Sequence, residues 1–344
     1  MNQGDSNIGD TLNGFKVVLV HIDRQPLPPW VPERFADEDI AFVYEECEGP
    51  DDVVRAAGDA QVVWTFGSGG WALWPECLPQ LPACRVILRS GSGTDNIPVE
   101  EATRLGIVVA NTPEVTTDAV AEHTIGLFLS VSRCIARADQ NVRSGTWDRK
   151  LVWPISHLTG ATLGIVGFGR IGRGVARVAS GFRMRILAYD PVVDAADMET
   201  RGVRAVELDD LLETADFVSL HCPLMDQTRH LIGRDQFRRM KRTAVFVNAA
   251  RGAIVDEGAL VHALQEKWIA GAGLDVLEHT PVDPGSPLLI MENVVITPHI
   301  AGESDESPDI FWRHSVRTAV EVAKGRMPLW YVNPQVKLRW DPQP

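Results

Sequence analysis

No stretch of the 344 residues approaches the ~18 consecutive apolar residues that a membrane-spanning helix needs. The most apolar long segment, Ala119 to Ala136, is interrupted by Glu122, His123 and Arg133. The opening MNQGDSNIGDTLNG is polar and contains no apolar run of the secretory kind, so no signal segment is expected there. There is no C-x-x-C pair. The five cysteines (Cys47, Cys77, Cys84, Cys134, Cys222) are odd in number and scattered, which suits reduced thiols in the cytoplasm and not a disulfide framework. Positive charge is also scarce: 33 basic residues face 46 acidic ones, a net of −13. Such a chain repels phosphate backbones, so no nucleic-acid partner is expected, although a few placed cations can still hold a small anion. Repeats and low-complexity runs are absent.

The rest is ordinary globular material, 45% hydrophobic and 23% charged. At ~150 residues per domain the length suggests two domains. Tryptophan is plentiful at ten, with Trp64, Trp71 and Trp74 close together. After the polar start, Phe15 to Ile22 reads as a buried strand, and the proline-rich stretch Pro26 to Pro32 breaks the chain. Helix-like and strand-like pieces then alternate (DDVVRAAGDA, QVVWTF, CRVILRS, VEEATRLG, IVVANTP), the pattern of a mostly parallel sheet. Thr116 to Ala138 is the longest helical pattern, long enough to bridge two domains, and NVRSGTWDRKLVWP after it reads as a connecting segment. A second alternating series starts at Gly160, with strands TLGIVG, RILAYD, DFVSLH, AVFVNA, AGLDV and VVITPH. One more helix is expected over Phe311 to Lys324.

Chemistry enters at TLGIVGFGRIGRG, where Gly167, Gly169 and Gly172 form G-x-G-x-x-G between an apolar strand and a helical pattern. Glycines in that context allow a tight turn and let a pyrophosphate approach backbone N–H groups at a helix N-terminus. The next strand ends in Asp190, 18 residues after Gly172. A carboxylate there accepts hydrogen bonds from ribose hydroxyls and repels a 2′-phosphate, which favours NAD over NADP.

In open parallel sheets ligands bind outside the carboxyl ends of the strands. The later strands run into His221-Cys222-Pro223, Ala249-Ala250-Arg251-Gly252, Asp275 and Pro298-His299. His221, Arg251, Asp275 and His299 thus converge on the edge that carries the glycine turn. Each alone is more simply a surface charge or a structural histidine. Together with the turn they supply a carboxylate clamp and a proton shuttle beside a hydride carrier, which suits interconversion of a 2-hydroxy acid and a 2-oxo acid. The histidines lack metal-ligand spacing, so no metal is expected.

With these motifs in view, the chain resembles the D-isomer-specific 2-hydroxyacid dehydrogenases. The resemblance runs from Phe15 to Val336 through SGSGTDNI, NTPEVTTDAVAEHTIGL, GIVGFGRIG, LHCPLMDQTRHLIG, NAARGAIVDEGAL, AGAGLDVLEHTPV and VVITPHIAG. It implies an α/β protein of two doubly wound parallel-sheet domains. A Rossmann domain for NAD(P), residues 113–301, would be inserted into a flavodoxin-like substrate domain made of residues 1–112 and 302–344. It also implies that Arg251 binds substrate, that His299 is the general acid/base, and that Ser92 and Gly93 hold the substrate carboxylate. Thr117, Arg170, Ile171, Asp190, Cys222, Thr228, Ala249 and Asp275 match cofactor-contact positions. Gly167, Gly169, Gly172, His221, Pro223, Ala250, Arg251, His299 and Gly302 complete the expected NAD site. A homodimer formed through the long helix and the Trp147 segment is a further expectation. The sequence after Val336 does not resemble the regulatory extension of the long, serine-regulated phosphoglycerate dehydrogenases, so a match to that class is not expected.

Two departures stand out. The family's third catalytic residue is usually a Glu five positions after the LDV aspartate, and Thr280 stands there. Threonine can hydrogen-bond, but it withholds the charge that favours an imidazolium. Three outcomes are open: Thr280 orients His299 alone and the pH optimum falls; Glu278 or Glu303 substitutes from another offset; or the protein is a weakly active, NAD-dependent regulatory module. Formate dehydrogenases, which are cousins of the family, carry a neutral amide at this position. The second departure is the loop WTFGSGGWALW, whose Trp64, Phe66, Trp71 and Trp74 either accommodate a bulky apolar substrate or fill the small domain's core.

Overall fold

The computed structural model describes residues 14–22, 26–66, 71–152 and 154–343, and in it the alternating pattern becomes two parallel sheets. The chain divides into two compact units, Met1–Val115 with Ser304–Pro344, and Thr116–Glu303. The polar opening segment and residues 67–70 of the tryptophan-rich loop lie outside the described residues.

The first unit holds β1 (Lys16–Ile22), β2 (Ala41–Tyr44), β3 (Val62–Phe66), β4 (Val86–Ser90) and β5 (Val108–Asn111). They are ordered β2-β1-β3-β4-β5, the flavodoxin-like arrangement, with every pair parallel. Strands β3 and β4 are buried along their whole length, which is why VVWTF and VILRS show no alternation of polar and apolar residues. One face packs against the helix Ser307–Ala323 from the far end of the chain, through Trp312, Val316, Ala319 and Val320. The other is covered by Val53, Leu78 and Leu81 among others. Asn333 pins the returning tail: its Oδ1 accepts from Val109 N (2.9 Å) and its Nδ2 donates to Ile107 O (2.9 Å).

The tryptophan question is partly settled by burial. Trp64 is fully buried, donates from Nε1 to Ser90 Oγ (2.8 Å) and meets Trp312 edge to face, while Phe66 stacks on Trp312. Both belong to the core. Trp71 and Trp74 are half-buried, and Trp71 stacks on His21 and donates to Cys47 O (2.7 Å).

The second unit holds β6 (Thr162–Val166), β7 (Arg185–Tyr189), β8 (Arg204–Ala205), β9 (Phe217–Leu220), β10 (Val245–Asn248), β11 (Gly271–Leu274) and β12 (Val294–Ile296). The order is β12-β11-β10-β9-β6-β7-β8. The chain therefore winds outward from β6 in one direction and then from β9 in the other, with a topological switch point between them. Val166 lies level with both Tyr189 and Leu220, and Asn248 with Leu220 and Leu274. That register brings the residues that follow these strands to one edge.

One expected element is broken. The pattern over Thr116 to Ala138 forms two helices, Thr117–Ser132 and Ile135–Arg143, bent by 60°. Cys134 between them has φ 54°, and a left-handed residue ends an α-helix. Burial explains the division: the first helix buries Val120, Ala121, Ile125, Leu127 and Phe128, and the second buries nothing. Among the described residues no single helix is long and apolar enough to cross a membrane.

Candidate active site

The glycine turn is built by close approach. Gly167 has φ +94°, and a Cβ on it would lie 2.4 Å from Cys222 N; one on Gly172 would lie 2.2 Å from Gly167 O. A side chain at either position would force the turn off β9 or the helix off the turn. Gly169, which caps the helix Arg170–Ser180, differs: a Cβ there meets nothing within 4 Å. Open space at a helix N-terminus is where a pyrophosphate fits. Arg170 is exposed and Ile171 half-buried in the first turn.

Asp190 closes the turn from the end of β7. Its Oδ2 accepts from Phe168 N (2.8 Å) and its Oδ1 from Val192 N (3.0 Å). At the end of β9, His221 donates its backbone N–H to Val166 O (2.7 Å), and both of its ring nitrogens are buried without a hydrogen-bond partner. Burial pushes the imidazole down to about 3, so it is neutral, and pushes the neighbouring Cys222 thiol up to about 11. Pro223 and Thr228 belong to one loop: the Thr228 hydroxyl accepts from Met225 N (2.8 Å) and contacts Pro223 O (2.7 Å).

Arg251 follows β10 on a turn shaped by Asn248, a residue the sequence reading passed over. Asn248 is buried; its Nδ2 donates to Arg251 O (2.9 Å) and its Oδ1 accepts from Ala250 N (3.0 Å), with Ala249 in between. A polar residue closing an apolar strand at the ligand edge was the available signal. Arg251 donates from Nη1 to Ala250 O (2.8 Å) and is half-buried.

Asp275 is 2% exposed and turned inward to the loop of His299. Its Oδ1 accepts from the Thr297 hydroxyl (2.6 Å) and Ile300 N (2.9 Å), and its Oδ2 from Ala301 N (2.9 Å). His299 has φ 56° and donates its N–H to Asp275 O (2.9 Å) and Thr297 O (3.0 Å). Gly302 lies beside Thr116, next to Thr117 at the start of its helix. Thr280 is exposed in the loop after β11. Glu278, one of the candidates to replace the missing carboxylate, is engaged elsewhere: it binds His230 Nε2 (2.5 Å) and Glu257 N (3.3 Å). Burial raises its pKa, but the bond from His230 and the others outweigh it and hold the carboxyl below its ordinary value. Glu303 is exposed.

In the first unit, Ser92 and Gly93 follow β4. Asn111 Nδ2 donates to Ser92 O (2.7 Å), and Ser92 Oγ reaches Pro113 O (3.3 Å). Arg89, also passed over in the sequence, is 5% exposed at the end of the same strand and donates to Ser90 O (2.9 Å). A charge closing the apolar run VILRS was its signal.

The open space at Gly169, the carboxylate at Asp190 and the orphaned nitrogens of His221 are the features a dinucleotide would meet, so the residues present fit that group. A profile described as "D-isomer specific 2-hydroxyacid dehydrogenase, NAD binding domain" matches residues 125–301. A glyoxylate reductase of Korarchaeum cryptofilum is 46% identical over 266 residues, 76% of this chain and 80% of that one. Among solved structures, a glyoxylate reductase from Paecilomyes thermophila aligns with TM-score 0.84 at 29% identity, covering 94% of this chain and 99% of that one. An NADPH-dependent glyoxylate/hydroxypyruvate reductase from Sinorhizobium meliloti, solved with NADP and malonate, aligns with TM-score 0.82 at 30% identity, over 95% and 99% of the two chains.

Proposed function

The chain belongs to the D-isomer-specific 2-hydroxyacid dehydrogenase family, and from that premise we propose that it reduces glyoxylate or a similarly small 2-oxo acid to the 2-hydroxy acid, using NADH. The observation that carries this reading is the placement of the glycine turn, Arg251, Asp275 and His299 at the carboxyl edge of one parallel sheet. The smallness of the substrate rests on the reductase relatives and on Trp64 and Phe66 being committed to the core. The relatives named above are reductases, which gives no support to a regulatory module.

The nicotinamide, when bound, supplies the hydride. Arg251 presents a planar set of donors that grips a carboxylate through two parallel bonds and polarises the adjacent carbonyl. His299 gives a proton to the carbonyl oxygen as the hydride arrives, and takes it back in the reverse direction. Ser92 and Gly93 lie in the unit formed by Met1–Val115 and Ser304–Pro344, which on this reading binds the substrate. The free cysteines, three of them buried, suit the reducing cytoplasm.

Oxidation of NADH should be followed with glyoxylate, hydroxypyruvate, pyruvate, and branched and aromatic 2-oxo acids. Turnover is expected, highest with the smallest acids. Folded, NADH-binding protein that turns over none of them overturns the proposal. The coenzyme preference rests on Asp190. NADH is expected to give a kcat/KM at least about tenfold above NADPH, a difference of roughly 1.4 kcal/mol. Asp190→Ala should narrow that ratio and also lower the thermal midpoint, because the carboxylate holds Phe168 N and Val192 N. An NADPH preference in the native protein overturns the assignment.

A further inference from the structure

The turn that carries His299 is strained, and a helix outside the strand edge helps to hold it. A non-glycine residue at φ 56° costs about 1–3 kcal/mol and persists only where its surroundings fix it. The fixing group is the Asp275 carboxylate, which gathers Ile300 N, Ala301 N and the Thr297 hydroxyl around the turn. That hydroxyl has one proton and lies 2.6 Å from Asp275 Oδ1. The hydroxyl donates this proton to Asp275 Oδ1, so the Thr297 oxygen is left to accept. The donor is His123 Nε2, 2.9 Å away on the helix Thr117–Ser132 and 3.5 Å from Asp275 Oδ1. The network thus assigns the ring proton of His123 to Nε2.

We propose that His123 is a positioning residue for the proton step: it donates from Nε2 to the Thr297–Asp275 pair and so keeps His299 in its left-handed turn. The role in catalysis rests on His299 being the acid/base of the proposed reaction; the hold on the turn does not. Without this donor the Thr297 oxygen loses its partner, Asp275 loses a nearby positive hydrogen, and the turn relaxes toward ordinary backbone angles. Glutamine can place an amide nitrogen close to where Nε2 stands, whereas leucine fills space and donates nothing.

The test compares His123→Leu and His123→Gln with the native chain. The readouts are kcat and KM for glyoxylate, NADH affinity, and amide hydrogen exchange across residues 297–301. For His123→Leu, kcat should fall by about tenfold or more while NADH affinity stays within about twofold, the signature of lost positioning. Exchange at Ile300 and Ala301 should accelerate in that variant and not in the glycine-turn helix. His123→Gln should retain both properties to within about threefold. The proposal is overturned by a leucine variant with native kcat and native exchange. It is equally overturned by a glutamine variant as impaired as the leucine one, or by losses that spread evenly to NADH affinity and to exchange throughout the unit. If the native protein turns over no 2-oxo acid, the dehydrogenase reading fails, and exchange at Ile300 and Ala301 still decides whether His123 holds the turn.

Discussion

At the scale of single residues, the side chains that announced themselves were those whose chemistry is out of place in an apolar strand end. Arg251, Asp275 and His299 could be picked out because VFVN, AGL and VVIT stop abruptly at charged or titratable groups. Thr297 and His123 could not, because their importance lies in partners far away in sequence: Thr297 with Asp275, and His123 with Thr297. Thr280 is the residue whose replacement says most. A carboxylate near an imidazole favours its protonated form, so Thr280→Glu should move the upper limb of the pH profile for 2-oxo acid reduction to higher pH, by about one unit. Glu278 does not already serve this purpose, because His230 and Glu257 N engage its carboxylate. A profile that stays in place in a folded variant would mean that position 280 does not face His299.

At the scale of elements, strands were more legible than helix ends. A buried parallel strand is a short apolar run, and ten of the twelve strands among the described residues coincide with runs the sequence pattern marks as strands. The two exceptions are β2, whose short run AFVY is only half-buried at a sheet edge, and β8, of two residues, too short to leave a pattern. The helix break at Cys134 was invisible because periodicity measures which face is apolar and says nothing of a single residue's φ. Close backbone approaches were likewise hidden, and one bears on the site. Gly252, directly after Arg251, lies so close to the loop after β11 that a Cβ would sit 1.9 Å from Leu277 O. Gly252→Ala must therefore part the Arg251 turn from the loop carrying Glu278 and Thr280. We expect a destabilisation of about 1–3 kcal/mol and a fall in kcat/KM larger than any change in NADH affinity. An alanine variant with native kinetics and native thermal midpoint would show that the two loops separate without cost.

At the scale of the whole molecule, the sequence motifs conveyed two parallel-sheet units, but not the forces that set their response to pH and to self-association. The buried neutral His221 makes stability pH-dependent. Its folded value of about 3 lies below the ordinary 6.5, so between those limits the unfolded chain takes up a proton that the folded chain refuses. Stability from this group is complete above 6.5 and declines as pH falls toward 3, by about 1.4 kcal/mol per pH unit. Thermal midpoints should drop through that window, and His221→Leu should flatten part of the slope; an unchanged slope would mean other groups carry it.

Self-association can be argued from surface. Ile135, Val142, Trp147 and Leu151 are all exposed large apolar side chains within one short segment, and Trp147 is 89% exposed. Exposed apolar side chains grouped in this way suit a two-fold pairing of like chains, and we expect the protein to run at twice its 37.8 kDa. Each copy carries a net charge of −13, so the long-range force between copies is repulsive. Raising the salt from about 0.01 to 0.15 M shortens the Debye length from roughly 30 to 8 Å and removes much of that repulsion while leaving apolar burial intact. Association driven by this patch must therefore tighten with salt, the opposite of a contact built on ion pairs. Light scattering across that range should show the dimer persisting at higher salt, and Trp147→Glu should give a monomer whose thermal midpoint no longer depends on protein concentration. A native chain that stays at 37.8 kDa at tens of micromolar and physiological salt would rule out the pairing.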